Sequence, residues 1–277
     1  MNSMDLYEHK ILSDKEFPVQ LQVNKINQKG QYFPDHWHEH LELHYVLEGG
    51  TTIKVNQRPV RAKKGDLIIA NSNELHSGYG NGESVTTVVA IFEMEALSFE
   101  LADKNIIFQS LIEADDEIRR IMVSIWQEHE QQEIGYKLVC KGFLLHLITY
   151  LCRNYALEML SDRENTKRMK NLERLNTVVK FVQEHYSEPI SNRDLADMVH
   201  LSEDRFNHFF KEGMGMPPLQ YVNEVRLKKA AKLLKKEVFT VAEVAALVGI
   251  SDYNYFGRIF RRYFGCTPSE MVKNKSI

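Results

Sequence analysis

The chain of 277 residues carries 35 Lys and Arg against 38 Asp and Glu, a formal charge of −3, and 43% of it is hydrophobic. That length allows two domains, each large enough for a core of its own. No long apolar run or basic-plus-apolar leader opens the sequence and cysteines are few, which argues against a membrane span or a disulfide scaffold; a soluble cytoplasmic protein with reduced thiols is expected.

The charge is unevenly spread. Residues 173–277 hold 16 Lys and Arg against 13 Asp and Glu, whereas the first 172 hold 19 against 25. A basic half beside an acidic half fits one part touching phosphate and another that does not, with affinity supplied by a dimer.

Residues 17 to about 93 read as β. Short apolar stretches alternate with turn signals at Gly49-Gly50, Asn56-Gln57, Lys64-Gly65-Asp66, Asn71-Ser72-Asn73 and Gly78 to Gly82. Many short strands at this spacing predict a jelly-roll barrel. Strand alternation would put His36, His38, His40, Glu42 and His44 on one face. With His76 from a later strand, such a set could hold a divalent transition metal. The same residues could instead hydrogen-bond a small effector, or each other, inside a polar-lined barrel. Tyr32 and the histidine face are the expected effector-binding surface at the barrel mouth. Trp37 and Tyr45 have the opposite parity and are expected to face outside or a partner; Tyr79 is a further nearby aromatic.

Gly30, His36, His38, Glu42 and Gly49 stand at G-x5-H-x-H-x3-E-x6-G, which resembles the first cupin motif position for position. The second motif matches less well. Gly65 and His76 are present, but Asn71, Asn73 and Gly80 replace its proline, glycine and asparagine. The resemblance implies that His36, His38, Glu42 and His76 would be the ligands if a metal is bound.

From about 98 to 160 the pattern turns helical. Ile118, Ile121, Met122, Ile125 and Trp126 form one apolar stripe, and Val139, Phe143, Leu147, Ile148, Leu151 and Tyr155 another. Cys140 and Cys152 stand on one such helix, about 18 Å apart along it and too far to bridge. Ser161 to Lys170 (SDRENTKRMK) is polar without apolar period, so 161–171 reads as a linker. An amphipathic helix over Leu172–Tyr186 then opens the C-terminal domain, 172–277.

That domain is built on a repeat. Val238 to Glu270 places a Thr240-capped helix, Gly249 for a tight turn, and a second, Ser251-capped helix carrying Arg258, Arg261 and Arg262. Ile190 to Pro218 carries the same pattern: Asp194, Ala196, Val199 and Leu201 align with Glu243, Ala245, Val248 and Ile250. Phe206, Phe210, Gly215 and Pro218 align with Phe256, Phe260, Gly265 and Pro268 after one inserted residue. Helix-turn-helix motifs are therefore predicted at about 191–213 and 240–264. The helix between them, Leu219–Lys236, would span roughly 27 Å, close to the ~34 Å between successive major-groove faces of a duplex.

Residues from about 173 to 273 resemble the double helix-turn-helix domain of the AraC/XylS family of transcription regulators. The signature stands as Ala245, Gly249, Ile250, Ser251, Asp252, Tyr255, Phe256, Arg258, Phe260, Gly265, Thr267 and Pro268. Two positions depart from it: Met271-Val272 replaces the usual aromatic-arginine pair, and His200 stands where the first turn often has a small residue.

Helix faces separate core from readout. Phe206, Phe209 and Phe210 should point inward, leaving Asp204, Asn207, His208 and Lys211 outward; on the second helix Tyr253, Asn254, Gly257, Arg258 and Arg261 point outward. Carried across from the family, the base-contacting positions fall on Asp204, Asn207, His208, Tyr253, Asn254 and Arg258. Lys211, Arg261 and Arg262 are expected at phosphates, which position without specifying. Glu203 and Asp204 also suit the first turn of a helix on dipole grounds alone.

The expected architecture is thus α+β and multidomain: a cupin-like jelly-roll barrel with trailing helices (1–160), then an all-α double helix-turn-helix domain. The resemblance implies a sequence-specific, ligand-responsive regulator, expected to be an activator. It implies a homodimer through the helices after the barrel, a sugar-like effector, double-stranded DNA and RNA polymerase as partners, no required cofactor and no enzymatic activity. The alternatives are a metal-dependent cupin enzyme fused to a DNA-binding domain, and a constitutive regulator with a degenerate barrel.

Overall fold

Eight antiparallel strands open the structure: β1 (Val19–Ile26), β2 (Lys29–His36), β3 (Leu41–Glu48), β4 (Gly50–Val55), β5 (Arg58–Lys63), β6 (Leu67–Ala70), β7 (His76–Asn81) and β8 (Val85–Phe92). The coordinates are a computed structural model that describes residues 6–101, 104–236 and 238–273. The strands form two sheets, β1-β8-β3-β6 extended by β10 (Leu111–Ile112), and β2-β7-β4-β5. Asn56 and Gln57, with φ of 47° and 65°, join β4 to β5 as a two-residue hairpin whose backbone twist suits the flanking strands.

Alternation along β3 divides two environments. Leu41, Leu43 and Tyr45 enter an apolar core shared with the following helices. Val46 joins Ile53, Val55, Ile68 and Val85 between the sheets, and Glu42 and His44 share its parity.

A one-turn helix, α1 (Met94–Leu97), leads to β9 (Asn105–Phe108) and β10, and then to α2 (Asp116–Gln131) and α3 (Tyr136–Asn154). Strand β11 (Ala156–Leu160) pairs antiparallel with β9. The stretch 98–160 is therefore not wholly helical, because Asn105–Phe108 and Ala156–Leu160 satisfy each other's backbone groups across the sequence. Ile118, Ile121, Met122 and Ile125 of α2 are completely buried against the outer face of the first sheet, a burial worth roughly 1.5–3 kcal/mol each. In α3 the buried stripe is Cys140, Leu144, Leu147, Ile148 and Leu151, one residue out of phase with the expectation at its start, and Val139 is 41% exposed.

The segment expected to be a linker is helical. Helix α4 (Asp162–His185) is continuous, and the division between the two units of the chain falls inside it, at Glu173/Arg174. Ser161 and Glu164 bond reciprocally at its start, and its polar first turns find distant partners: Arg168 at Glu74 of the barrel and Asn165 at Asn105 of β9. Polar pairing replaces the apolar stripe there, so the missing period said nothing against a helix.

The second unit carries α5 (Asn192–Met198), α6 (Glu203–Met214), α7 (Pro218–Leu234), α8 (Val241–Leu247), α9 (Tyr253–Phe264) and α10 (Pro268–Lys273). Ser191 with Asp194, and Thr240 with Glu243, form matching capping boxes on α5 and α8. The second long helix of each motif differs: Asp252, not Ser251, caps α9 by accepting from Tyr255 N–H at 2.9 Å, and Ser202 stands at the α6 N-cap without a side-chain bond. Aspartate offers a charged acceptor next to the helix start, which outcompetes the neighbouring hydroxyl.

Helix α7 is the spine of this unit. Leu227, Ala230, Ala231 and Leu234 pack against Val244, Ala245, Val248, Ile250, Phe256 and Phe260 of the second motif, while Tyr221 meets Phe210 of the first. Arg226 donates to the carbonyls of Tyr186 and Glu188, each at 2.7 Å, and Asn223 donates to Tyr255 Oη at 3.1 Å. Met271 and Val272, the departures from the family signature, lean on the second motif's apolar core.

Candidate functional site

Two regions gather the expected site residues. The first is the space between the barrel sheets. His36 ends β2, His76 opens β7 directly opposite it, and Glu42 projects from β3. His38 lies in the bend between β2 and β3. One ligand atom from each of these four residues lies within 4.8 Å of the others.

Each imidazole is oriented by the backbone. Nδ1 of His36 faces Pro34 O at 3.0 Å, that of His38 faces His40 O at 3.1 Å, and that of His76 faces Glu74 O at 2.8 Å. A carbonyl oxygen can only accept, so all three Nδ1 atoms carry the proton and the Nε2 edges are the ones turned inward. His38 Nε2 stands 2.9 Å and His76 Nε2 3.4 Å from the same oxygen of Glu42, Oε2. His76 Nε2 is buried and finds no hydrogen-bond partner among the described residues. Neutral imidazole lone pairs converging on a carboxylate repel one another unless a cation lies among them. The donor set therefore fits a divalent transition metal, with the backbone carbonyls as its orienting outer shell.

The electrostatics agree. Burial works against ionising Glu42, but the facing His44 and the close approach of His38 and His76 hold its carboxyl well below the usual carboxylate range. Burial keeps the His38 imidazole below its ordinary value despite that carboxylate. His36 is also engaged on its other side, with Nε2 3.2 Å from Glu8 Oε2, and this contact brings Glu8 down to about 2 against the pull of burial. A metal taken up by the cluster would have to displace Glu8 from His36.

Above the cluster lies a cavity of about 430 Å³, lined among others by Glu8, Gln22, Asn24, Tyr32, Phe33 and His44. Tyr32 is placed there as expected, its hydroxyl 3.1 Å from Thr51 Oγ1. Glu8 and Lys10 were not foreseen, and nothing in the polar opening stretch marks them. His44 shares the cavity and stacks on Phe33, with 6.1 Å between ring centroids. His40 does not join the others: the chain between β2 and β3 bends, alternation lapses, and His40 Nε2 lies 3.3 Å from Glu93. Trp37 and Tyr45 do turn away from the histidines, but the chain itself covers them. Trp37 packs against Tyr7, and Tyr45 joins the core with α2 and α3. Tyr79 lies under Lys54 rather than in the cavity.

The second region is the outer face of α6 and α9. Phe206 and Phe210, and Phe256 and Phe260, are fully buried, which fixes the rotation of both helices; Phe209 is half-buried. Asp204, His208 and Lys211 are left exposed on α6 and Asn207 half-buried. On α9, Tyr253, Asn254, Arg258, Arg261 and Arg262 are exposed. Tyr253, Arg258, Arg261 and Arg262 share a concave surface with Thr267 and Ser269 at the start of α10. The Arg258 guanidinium lies over the Tyr255 ring, 5.5 Å from its centroid.

A barrel with a polar-lined cavity, joined to paired helix-turn-helix motifs, defines a transcription regulator with a ligand-binding domain. Residues 26–148 match the AraC-like ligand binding domain and residues 195–274 the matching helix-turn-helix domain. The chain belongs to the AraC/XylS family of DNA-binding transcription regulators. It is 24% identical to the uncharacterised HTH-type transcriptional regulator YdeC of Bacillus subtilis, across 99% of this chain and 97% of that one. It is 25% identical to the HTH-type transcriptional activator RhaS of Enterobacter sp., across 88% of each. Among solved structures, ToxT from Vibrio cholerae aligns with 92% of the chain at 16% identity and a TM-score of 0.40. None of the described helices is long and apolar enough to cross a membrane.

Proposed function

We propose that this protein is a cytoplasmic transcription activator that works as a homodimer and senses its effector in the barrel cavity. The observation that carries the sensing site is the convergence of His38 and His76 Nε2 on one oxygen of Glu42. His36, His38, Glu42 and His76 would hold a divalent transition metal, which when bound supplies a Lewis-acid anchor for an effector oxygen. Tyr32, Gln22 and Asn24 then offer hydrogen bonds to the rest of a small hydroxyl-rich molecule, a sugar in class, which suits a cavity of about 430 Å³. On DNA, Asp204, Asn207, His208, Tyr253, Asn254 and Arg258 read bases, and Lys211, Arg261 and Arg262 hold phosphates. RNA polymerase is the remaining partner of an activator. No turnover is assigned to the cavity.

Calorimetric titration of the metal-stripped full chain with Zn²⁺ or Ni²⁺, followed by a thermal-shift screen of sugars on both forms, tests the sensing site. One metal per chain and loss of that binding in His76→Ala are expected. If neither metal nor any sugar shifts the unfolding temperature, the cavity is not the sensor. Turnover of a small molecule by the full chain, abolished in His38→Ala, would mark an enzyme instead.

A further inference from the structure

The loop Asn71–Leu75, between β6 and β7, is where the sequence leaves the second cupin motif, with Asn71 and Asn73 in place of proline and glycine. Asn73 takes a left-handed backbone, with φ of 59°. The two asparagines and the glutamate between them and the barrel's next strand give this loop two working sides.

Its backbone faces the histidine cluster. Asn73 N–H donates to His38 O at 2.9 Å, and Glu74 O accepts from His76 Nδ1 at 2.8 Å. The side chains of Asn73 and Glu74 face helix α4, while that of Asn71 bonds the backbone of Phe108 on β9. Glu74, only 7% exposed, places Oε1 2.8 Å from Arg168 Nη2, with Asn56 donating to the same oxygen. Its other oxygen accepts from the Asn71 backbone and side chain, at 3.0 and 3.1 Å. Asn73 Nδ2 reaches Asn165 Oδ1 at 3.5 Å, and Asn165 in turn donates to Asn105 at 2.7 Å. Arg168 is the one cation among these contacts to Glu74, so without it a buried carboxylate is left on neutral donors alone.

We infer that this loop is a latch, coupling occupancy of the histidine cluster to docking of the first turns of α4, with the Glu74–Arg168 ion pair as its release point. The inference rests on reading the cluster as the sensing site. If the cluster holds a cation, the His76 ring would be polarised and its Nδ1–H bond to Glu74 O strengthened, which would favour the loop shape that also presents the Glu74 carboxylate to Arg168. Occupancy and docking then stabilise one loop conformation, and the coupling is reciprocal. Helix α4 runs on beyond Arg174 into the DNA-binding unit, where Leu175, Val178, Val179 and Val182 are buried. Release of its first turns is thus a change that the regulator can read.

Hydrogen exchange on the full chain, with and without Zn²⁺ alone, tests the latch in Arg168→Met and Arg168→Lys. Without metal, Arg168→Met should speed exchange of the 71–75 amides by roughly tenfold and Arg168→Lys by less, with β3 and β8 unchanged. Zinc should slow exchange at 71–75 in both the unaltered chain and Arg168→Met, but at 162–171 in the unaltered chain only. The latch is overturned if Arg168→Met leaves 71–75 within about twofold of the unaltered chain, or if zinc protects 162–171 equally in both. Should zinc alter exchange nowhere, the metal reading fails and the metal-free comparison alone decides the latch.

Discussion

The ring of Phe33 occupies the space that a Cβ on Gly78 would fill, and the ring of Tyr32 crowds the same point. Phe33 also stacks on His44 and meets His36 and His76 edge-on. A bare glycine on β7 therefore sets where the aromatic wall of the cavity stands against the histidines. Gly78→Ala is expected to cost about 1–3 kcal/mol by overpacking and to weaken zinc uptake, both measured by urea unfolding with and without the metal. Unchanged stability and unchanged zinc affinity would show that the rings can move aside freely.

The turns of the two helix-turn-helix motifs solve one backbone problem differently. Gly249 has φ of 78°, and a Cβ there would strike the backbone of Ser187; its counterpart His200 holds φ of 56° with a full side chain. Gly249→Ala should therefore destabilise the domain by about 2 kcal/mol or more, since backbone cannot swing away as a side chain can. His200→Gly should give a gain of up to about 1 kcal/mol, as relieved left-handed strain is partly offset by a more flexible unfolded chain. Thermal unfolding of the pair checks the contrast; an alanine variant as stable as its parent would refute it.

Asp115 holds the junction of barrel and helices. Its carboxylate caps α2 through Ile118 N–H at 2.8 Å and accepts from the hydroxyls of Tyr155 and Tyr150 at 2.7 and 3.0 Å. Burial raises its pKa, but these donors prevail and hold it below the ordinary aspartate value. A depressed carboxyl contributes stability above its unfolded pKa and loses it as pH falls through the folded one. Asp115→Ala should cost about 1–2 kcal/mol at neutral pH. The deficit relative to the unaltered chain should shrink on acidification below about pH 4, the unfolded aspartate value. A deficit independent of pH would mean that the ionised form gives no advantage.

Arg258 and Arg262 lie on the same helix but are assigned different work. Arg258→Ala should cost about 1–3 kcal/mol on a specific site and relax preference at one base pair, whereas Arg262→Ala should weaken all sequences alike and flatten the salt dependence. Competition binding against single-base variants of a protected promoter fragment separates the two. An equal loss for Arg258→Ala on every variant would make it a phosphate clamp.

By itself the sequence determined the periodic and the local features: the strand region 17–93, the duplicated helix-turn-helix with its Thr240 cap, and the family signature. Each is a matter of spacing or of neighbours a few residues apart, which the chain states directly. Strand alternation also picked out Glu42 and His44 correctly, but it failed at His40, because the bend after β2 breaks the period on which it rests. The helical state of 161–171 was not legible for a related reason: the first turns of α4 are held by Glu74 and Asn105, far away in the chain, so no local apolar stripe announced them. Only tertiary structure brought Glu8 against His36, paired Ala156–Leu160 with Asn105–Phe108, and turned the Nε2 edges of His38 and His76 onto one oxygen of Glu42. Apart from His38 with Glu42, those contacts join residues separated by tens of positions, and their geometry is set by sheet register and backbone carbonyls that no side-chain pattern encodes.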